Sequence, residues 1–137
     1  MKILIDAENS ILGRMASEVA KKLLLGHEVD VVNIEKSAII GQKADIVARY
    51  KAKVQRGHPY SGPFVPRPPH YLAKRIVRGM LPKGPRGEEL LRNIRFHIGN
   101  PTGKNGQKLK CDVSTSKYWR YVTLGELSVI LGAKKRW

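Results

Sequence analysis

The chain is short of cysteine, of long apolar runs and, through its middle, of acids. Cys111 is the single cysteine. That excludes an internal disulfide framework and a cysteine-rich zinc site, and it suits a reducing compartment. No uninterrupted apolar run approaches the roughly 18 residues of a membrane span. The apolar part of the N-terminus, Ile3–Ile5, is too short for a signal peptide. No G-x-x-x-x-G-K-[ST] occurs, which excludes a P-loop, and no G-x-G-x-x-G follows the first apolar run. His27, His58, His70 and His97 show no metal-ligand spacing. Between Ile46 and Gly87 there is no acid at all.

What remains is a strongly basic chain of one-domain size. Its 137 residues are 42% hydrophobic, enough for one core, and 26 Lys and Arg stand against 11 acids for a net charge of +15. A neutral globule is excluded, and a polyanionic partner becomes the first hypothesis. The charge is uneven. Residues 1–40 carry a net of −1 and residues 41–137 a net of +16. The acid-free span holds Arg49, Lys51, Lys53, Arg56, Arg67, Lys74, Arg75, Arg78, Lys83 and Arg86, and like charges this dense call for a counter-charge.

Ile3–Ile5 reads as a buried strand. Asn9 or Ser10 can cap a helix whose apolar positions are Ile11, Leu12, Met15, Ala16, Val19, Ala20, Leu23 and Leu24, with Gly26 as its stop. Val29–Ile34 is a β-branched second strand, so the three segments form a βαβ unit and a parallel sheet. Ser37–Ile40 reads as a further strand or an extension of it, ended by Gly41. A second helix is expected over about 42–54, followed by a loop over Gly57–Pro69 with five prolines and two glycines among its residues. A third helix starts near Pro69. A fourth has Leu90, Leu91 and Ile94 as core positions, followed by a strand through Phe96 and Ile98. Residues 100–106 read as loop, 113–122 as ambiguous, and Thr123 as the cap of a short last helix ended by Gly132. The basic tail, Lys134–Trp137, is expected to be mobile in isolation. The whole is expected to be one domain: an α/β core from 1–56 and 70–99, a basic loop at 57–69, and a C-terminal extension at 100–137.

The basic segment is the candidate site. Phosphate neutralisation needs clustered cations, and unstacked RNA bases pack on rings and Arg planes. Arg56, Arg67, Lys74, Arg75, Arg78, Lys83 and Arg86 are expected at phosphates, with Arg49, Lys51 and Lys53 in the same basic stretch. Tyr60 or His58 is expected to stack, while Phe64 and at least one tyrosine are expected in the core. Arg14, near a helix start, is a further phosphate candidate. No zinc-finger, RRM, KH or clear helix-turn-helix pattern is present, so contact with the shape of a folded RNA is the better fit. A rival reading gathers Asp6, Glu8, Glu35 and Asp45 on a metal, as in a nuclease, with Asp6 and Glu35 near strand ends. A third is a DNA-compacting basic protein.

Val77-Arg78-Gly79-Met80-Leu81-Pro82, followed by Arg86-Gly87 and a leucine-rich helix, strongly resembles the signature of the large-subunit ribosomal protein thirteen family. Asp6-Ala7 with Leu12-Gly13-Arg14-Met15-Ala16-Ser17 looks like its N-terminal block. Val31–Glu35 with Ile39-Ile40-Gly41 is similar to its second strand region. Ser61-Gly62-Pro63-Phe64 and Leu124-Gly125-Glu126-Leu127-Ser128 look like its archaeal and eukaryotic branch. The resemblance implies a three-layer α/β/α fold around a parallel four-stranded sheet. It implies a non-catalytic role in the ribosome, binding large-subunit rRNA beside neighbouring ribosomal proteins and supporting subunit assembly. Neither a cofactor, nor a small-molecule substrate, nor a membrane is expected.

Overall fold

The computed structural model describes residues 1–113 and 120–137. Its centre is a sheet in which every pairing is parallel. Strand β1 (Lys2–Asp6) lies between β2 (Glu28–Val32) and β5 (Gln107–Lys108), and β4 (Ile94–Phe96) flanks β2 on the other side. The α/β class and the four parallel strands are as expected, but one strand is exchanged. Ala38–Ile40 forms a strand, β3, that pairs antiparallel with β6 (Tyr121–Thr123) in a separate two-stranded sheet. The fourth parallel strand comes instead from 107–108. Gly106 makes that approach possible, because a Cβ there would stand 2.7 Å from the Asp6 nitrogen.

Helix α1 (Leu12–Leu24) buries Leu12, Met15, Ala16, Val19, Ala20 and Leu23, the stripe its periodicity dictates. Its start differs from expectation. Neither Asn9 nor Ser10 caps it, and the N-cap position is Ile11. Residues 10 and 11 are held by bridges to Asp112 and Ala38, and the Ile11 N–H donates to the Cys111 carbonyl at 2.8 Å. The first turn is therefore anchored by tertiary pairing.

Helices α2 (Lys43–Gln55) and α3 (Pro69–Met80) fall where the sequence puts them. Helix α4 (Pro85–Arg92) ends sooner than expected. Ile94, expected as a helical core position, opens β4 and is buried there. Helix α5 (Leu124–Ile130) is capped by Thr123, whose Oγ1 accepts from the Glu126 N–H at 3.3 Å. Leu124, Leu127 and Leu131 enter the main core. They give the C-terminal extension a share in the fold's interior, and β5 gives it an edge strand of the central sheet. Of the ambiguous stretch 113–122, residues 114–119 lie outside the described residues. Beyond α5 the tail turns back, and Trp137 sits where a Cβ on Gly125 would meet its Nε1 at 3.0 Å. The tail expected to be mobile therefore ends in a packed ring. Among the described residues, no helix is long and apolar enough to cross a membrane.

Candidate nucleic-acid interface

Helix α3 is amphipathic for a simple reason. Leu72, Ala73 and Val77 face the core, where α3 packs on α1, and Lys74, Arg75 and Arg78 fall on the other side. Arg75 and Arg78 are exposed and Lys74 is half-buried. The proline-rich loop before α3 is fastened to it. Arg75 Nη1 donates to the Phe64 carbonyl at 3.3 Å. At the loop's other end, a Cβ on Gly57 would stand 2.2 Å from the Gly62 carbonyl oxygen, so only glycine lets the turn close.

These contacts build a cleft of about 240 Å³ lined by Phe64, Pro66, Tyr71, Lys74, Arg75, Arg78 and Leu91. A smaller depression adjoins it, sharing Arg78 and Leu91 and adding Lys83, Pro82 and Glu88. Four of the expected phosphate contacts thus stand on one continuous surface. Phe64 corrects its expectation: it is 70% exposed, not core. Tyr60 and Tyr71 are exposed too, so neither supplies the buried tyrosine. Tyr60 and Phe64 stand on a loop outside the core, and Tyr71 stands on the outward side of α3. The buried side of α3 belongs to its aliphatic residues.

The other candidates lie apart from this cleft. Arg49, Lys51 and Lys53 are exposed on α2, with Lys53 Nζ 5.1 Å from the centre of the Tyr50 ring. Arg56 is exposed at the end of α2, and Arg86 in the first turn of α4. His58 and Tyr60 share the loop's tip; the Tyr60 N–H donates to His58 Nδ1 at 3.2 Å and their rings are 5.4 Å apart. Arg67 folds onto α5: its carbonyl accepts from Ser128 Oγ, and a Cβ on Gly132 would lie 3.3 Å from its Nη1. Arg14 lines a separate groove of about 560 Å³ with Lys22, Lys108 and Lys110. Lys108 and Lys110 escaped the sequence reading, although alternation about Leu109 puts both on one side of an extended segment.

The side-chain ion pairs among the described residues join Lys2 to Asp30, Lys21 to Glu18, Lys36 to Glu8, Lys43 to Glu126 and His97 to Asp30. None involves an arginine, and none involves a lysine of the candidate set. Three of the four carboxylates of the rival reading are occupied structurally. Asp6 Oδ1 accepts from the Glu8 N–H and from Asn33 Nδ2, each at 3.0 Å. Buried Glu35 accepts from the Gly99 N–H at 3.0 Å. Glu8 holds Lys36 at 2.8 Å, a contact that raises the Lys36 pKa. Asp45 lies exposed in the first turn of α2. Among the described residues, no three His, Cys, Asp or Glu side chains gather as a metal site. Burial raises the Cys111 thiol above its ordinary value, which keeps it protonated and unreactive at neutral pH.

The family model described as Ribosomal protein L13 matches residues 1–103. The chain belongs to the ribosomal protein L13 family. Relatives named Large ribosomal subunit protein uL13 extend the match. The Methanopyrus kandleri protein is 45% identical over 93% of this chain and 85% of its own length. The Archaeoglobus fulgidus protein is 44% identical over 93% and 86%. The Haloarcula marismortui protein is 40% identical over 98% and 94%. The family model ends near the start of the C-terminal extension, and the Haloarcula marismortui match, over 98% of this chain, takes in nearly all of that extension. An L13 chain is a structural ribosomal protein and not an enzyme, in keeping with carboxylates that hold loops. The stretch that carries the L13 resemblance, Val77–Pro82 with Arg86-Gly87, is the end of α3 and the turn into α4. Gly87 closes that turn: a Cβ there would stand 1.9 Å from the Pro82 carbonyl oxygen.

Proposed function

We propose that this chain is a structural constituent of the large ribosomal subunit, that it binds large-subunit rRNA through its basic surface, and that it supports assembly of the subunit in the cytoplasmic ribosome. The observation that carries the reading is the freedom of its cations. Among the described residues, Arg49, Lys51, Lys53 and Arg56 of α2 and Lys74, Arg75, Arg78, Lys83 and Arg86 of α3 and the turn after it have no carboxylate within ion-pair distance, whereas Lys2, Lys21, Lys36 and Lys43 each hold one. Unneutralised cations of this density are matched by a phosphate backbone, whose counterions they release.

In this reading the sheet and its helices are a rigid body. Lys74, Arg75, Arg78 and Lys83 meet phosphates from the cleft. Arg49, Lys51, Lys53, Arg56 and Arg86 extend the contact, and His58 and Tyr60 reach from the loop tip. Arg14 contributes from its own groove. Arg67, folded on α5, contributes its charge and fixes the loop. Phosphate contacts of this kind set position and orientation without reading sequence. Neighbouring ribosomal proteins complete the surroundings.

A titration of the purified protein with large-subunit rRNA, an unrelated folded RNA of equal length and duplex DNA, at several salt concentrations, tests the proposal. A preference for the rRNA that persists as salt rises supports it. Equal affinities that collapse together would reduce the binding to charge alone.

A further inference from the structure

We infer that the cleft lined by Phe64, Pro66, Tyr71 and Leu91 takes one unpaired nucleobase, whose flanking phosphates lie on Lys74, Arg75 and Arg78. The inference rests on the RNA-binding reading above and deepens it, naming what the cleft holds and making Phe64 and Tyr71 its stacking residues.

The chemistry of the lining is mixed in a particular way. Its floor is apolar and aromatic, its cations number three, and no carboxylate lines it. Phe64 is 70% and Tyr71 53% exposed, two large rings left in water side by side at the cleft. An apolar protein side chain would use the floor and waste the cations. A bare phosphate would use the cations and waste the rings. A nucleotide strand with one base turned out satisfies both, since a base presents a flat π-face and the backbone on either side of it carries charge. A duplex hides its bases, so the partner is a bulge, loop or end. The volume, about 240 Å³, lies below the range of roughly 300–1,000 Å³ for sites that enclose drug-sized ligands, which suits one ring system.

The rings are also held in advance. The Phe64 main chain is tied to α3 by Arg75. Behind its ring is Gly62, where a Cβ would come within 3.1 Å of Phe64 Cδ2. Tyr71 rises from α3 with its ring 4.1 Å from that of His70. Side chains fixed before binding lose little freedom on binding.

The test uses an RNA hairpin with a single bulged adenosine and the same hairpin with an abasic residue at the bulge, titrated against the full chain at fixed salt. The wild-type protein is expected to bind the adenosine hairpin roughly tenfold more tightly, within the range of base–aromatic stacking. Phe64→Leu with Tyr71→Leu keeps apolar bulk and removes the rings. It is expected to abolish that preference and leave the salt dependence unchanged. Far-UV circular dichroism reports whether this variant folds. With 2-aminopurine in the bulge, fluorescence falls on binding to the wild type and not to the variant. Equal affinity of the wild type for both hairpins overturns the inference. A companion variant, Lys74→Gln with Arg78→Gln, separates that failure from failure of the wider reading. If it weakens binding to both hairpins and flattens the salt dependence, the RNA surface stands and only the base site falls. If it changes neither, the RNA surface falls as well.

Discussion

Asp6 Oδ1 accepts a hydrogen bond from Asn33 Nδ2 at 3.0 Å, joining the ends of two neighbouring parallel strands. Asn33 sits there in the left-handed region, φ 55°, which its short polar side chain tolerates. The same oxygen accepts from the Glu8 N–H. The position where many α/β enzymes place a catalytic group is here a tie between two turns. Asp6→Ala should therefore cost about 1–3 kcal/mol of stability and leave RNA affinity within about twofold below the melting transition. Chemical denaturation and an RNA titration check it. Intact stability with weakened RNA binding would contradict the structural role.

Arg75 has two tasks, a charge at the cleft and a hydrogen bond to the Phe64 carbonyl. Arg75→Lys keeps the charge but loses the planar donor. Global stability should move by less than about 0.5 kcal/mol, as for an exposed substitution. Hydrogen exchange over 57–66 should quicken. Unchanged protection of that loop would show that the bond does not hold it.

Gly87→Ala changes no charge, yet its methyl would collide with the Pro82 carbonyl. Relief requires the 81–87 turn to move and should cost about 1–3 kcal/mol. Because Lys83 rides on that turn, RNA affinity should fall with stability. A variant as stable as the wild type, with undiminished RNA binding, would contradict the tight closure.

Burial, and after it Arg136, push the His70 imidazole below its ordinary pKa. The unfolded chain then binds this proton at a higher pH than the folded one. Stability contributed at this position is present above about pH 6.5 and is lost as pH falls toward the lower folded value. The wild type should thus lose more thermal stability between pH 7.5 and pH 5.5 than His70→Gln. Equal losses would remove His70 from the acid response.

Much of the fold is legible because local and tertiary signals agree. The stripe of α1, proline at the first turn of α3 and Thr123 before α5 each specify an element by chemistry within a few residues. The parallel sheet's last strand is not legible, because two residues carry no period and 107–108 is a strand only through its neighbour β1. Ser37–Ile40 reads as a strand, but the partner of Ala38–Ile40 lies about eighty residues away. Ile94 is apolar and buried in either element, so hydropathy could not choose between helix and strand. At the site, the absence of acids announced the cations of α3. It could not say that Phe64 faces water, that Arg67 folds onto α5, or that Lys108 and Lys110 join Arg14, since each depends on contacts between distant segments.

In the proposed function, the cations of the α3 cleft and its adjoining turn neutralise phosphates. The most direct measurement is the slope of log affinity against log salt for large-subunit rRNA, compared between the wild type and Lys74→Gln/Arg78→Gln/Lys83→Gln. Each lost phosphate contact should remove about 0.7–0.9 from the slope, so the triple variant should be flatter by roughly 2–3 and bind more weakly at low salt. A folded variant with the wild-type slope and affinity would place the RNA elsewhere on the molecule and contradict the role of these cations.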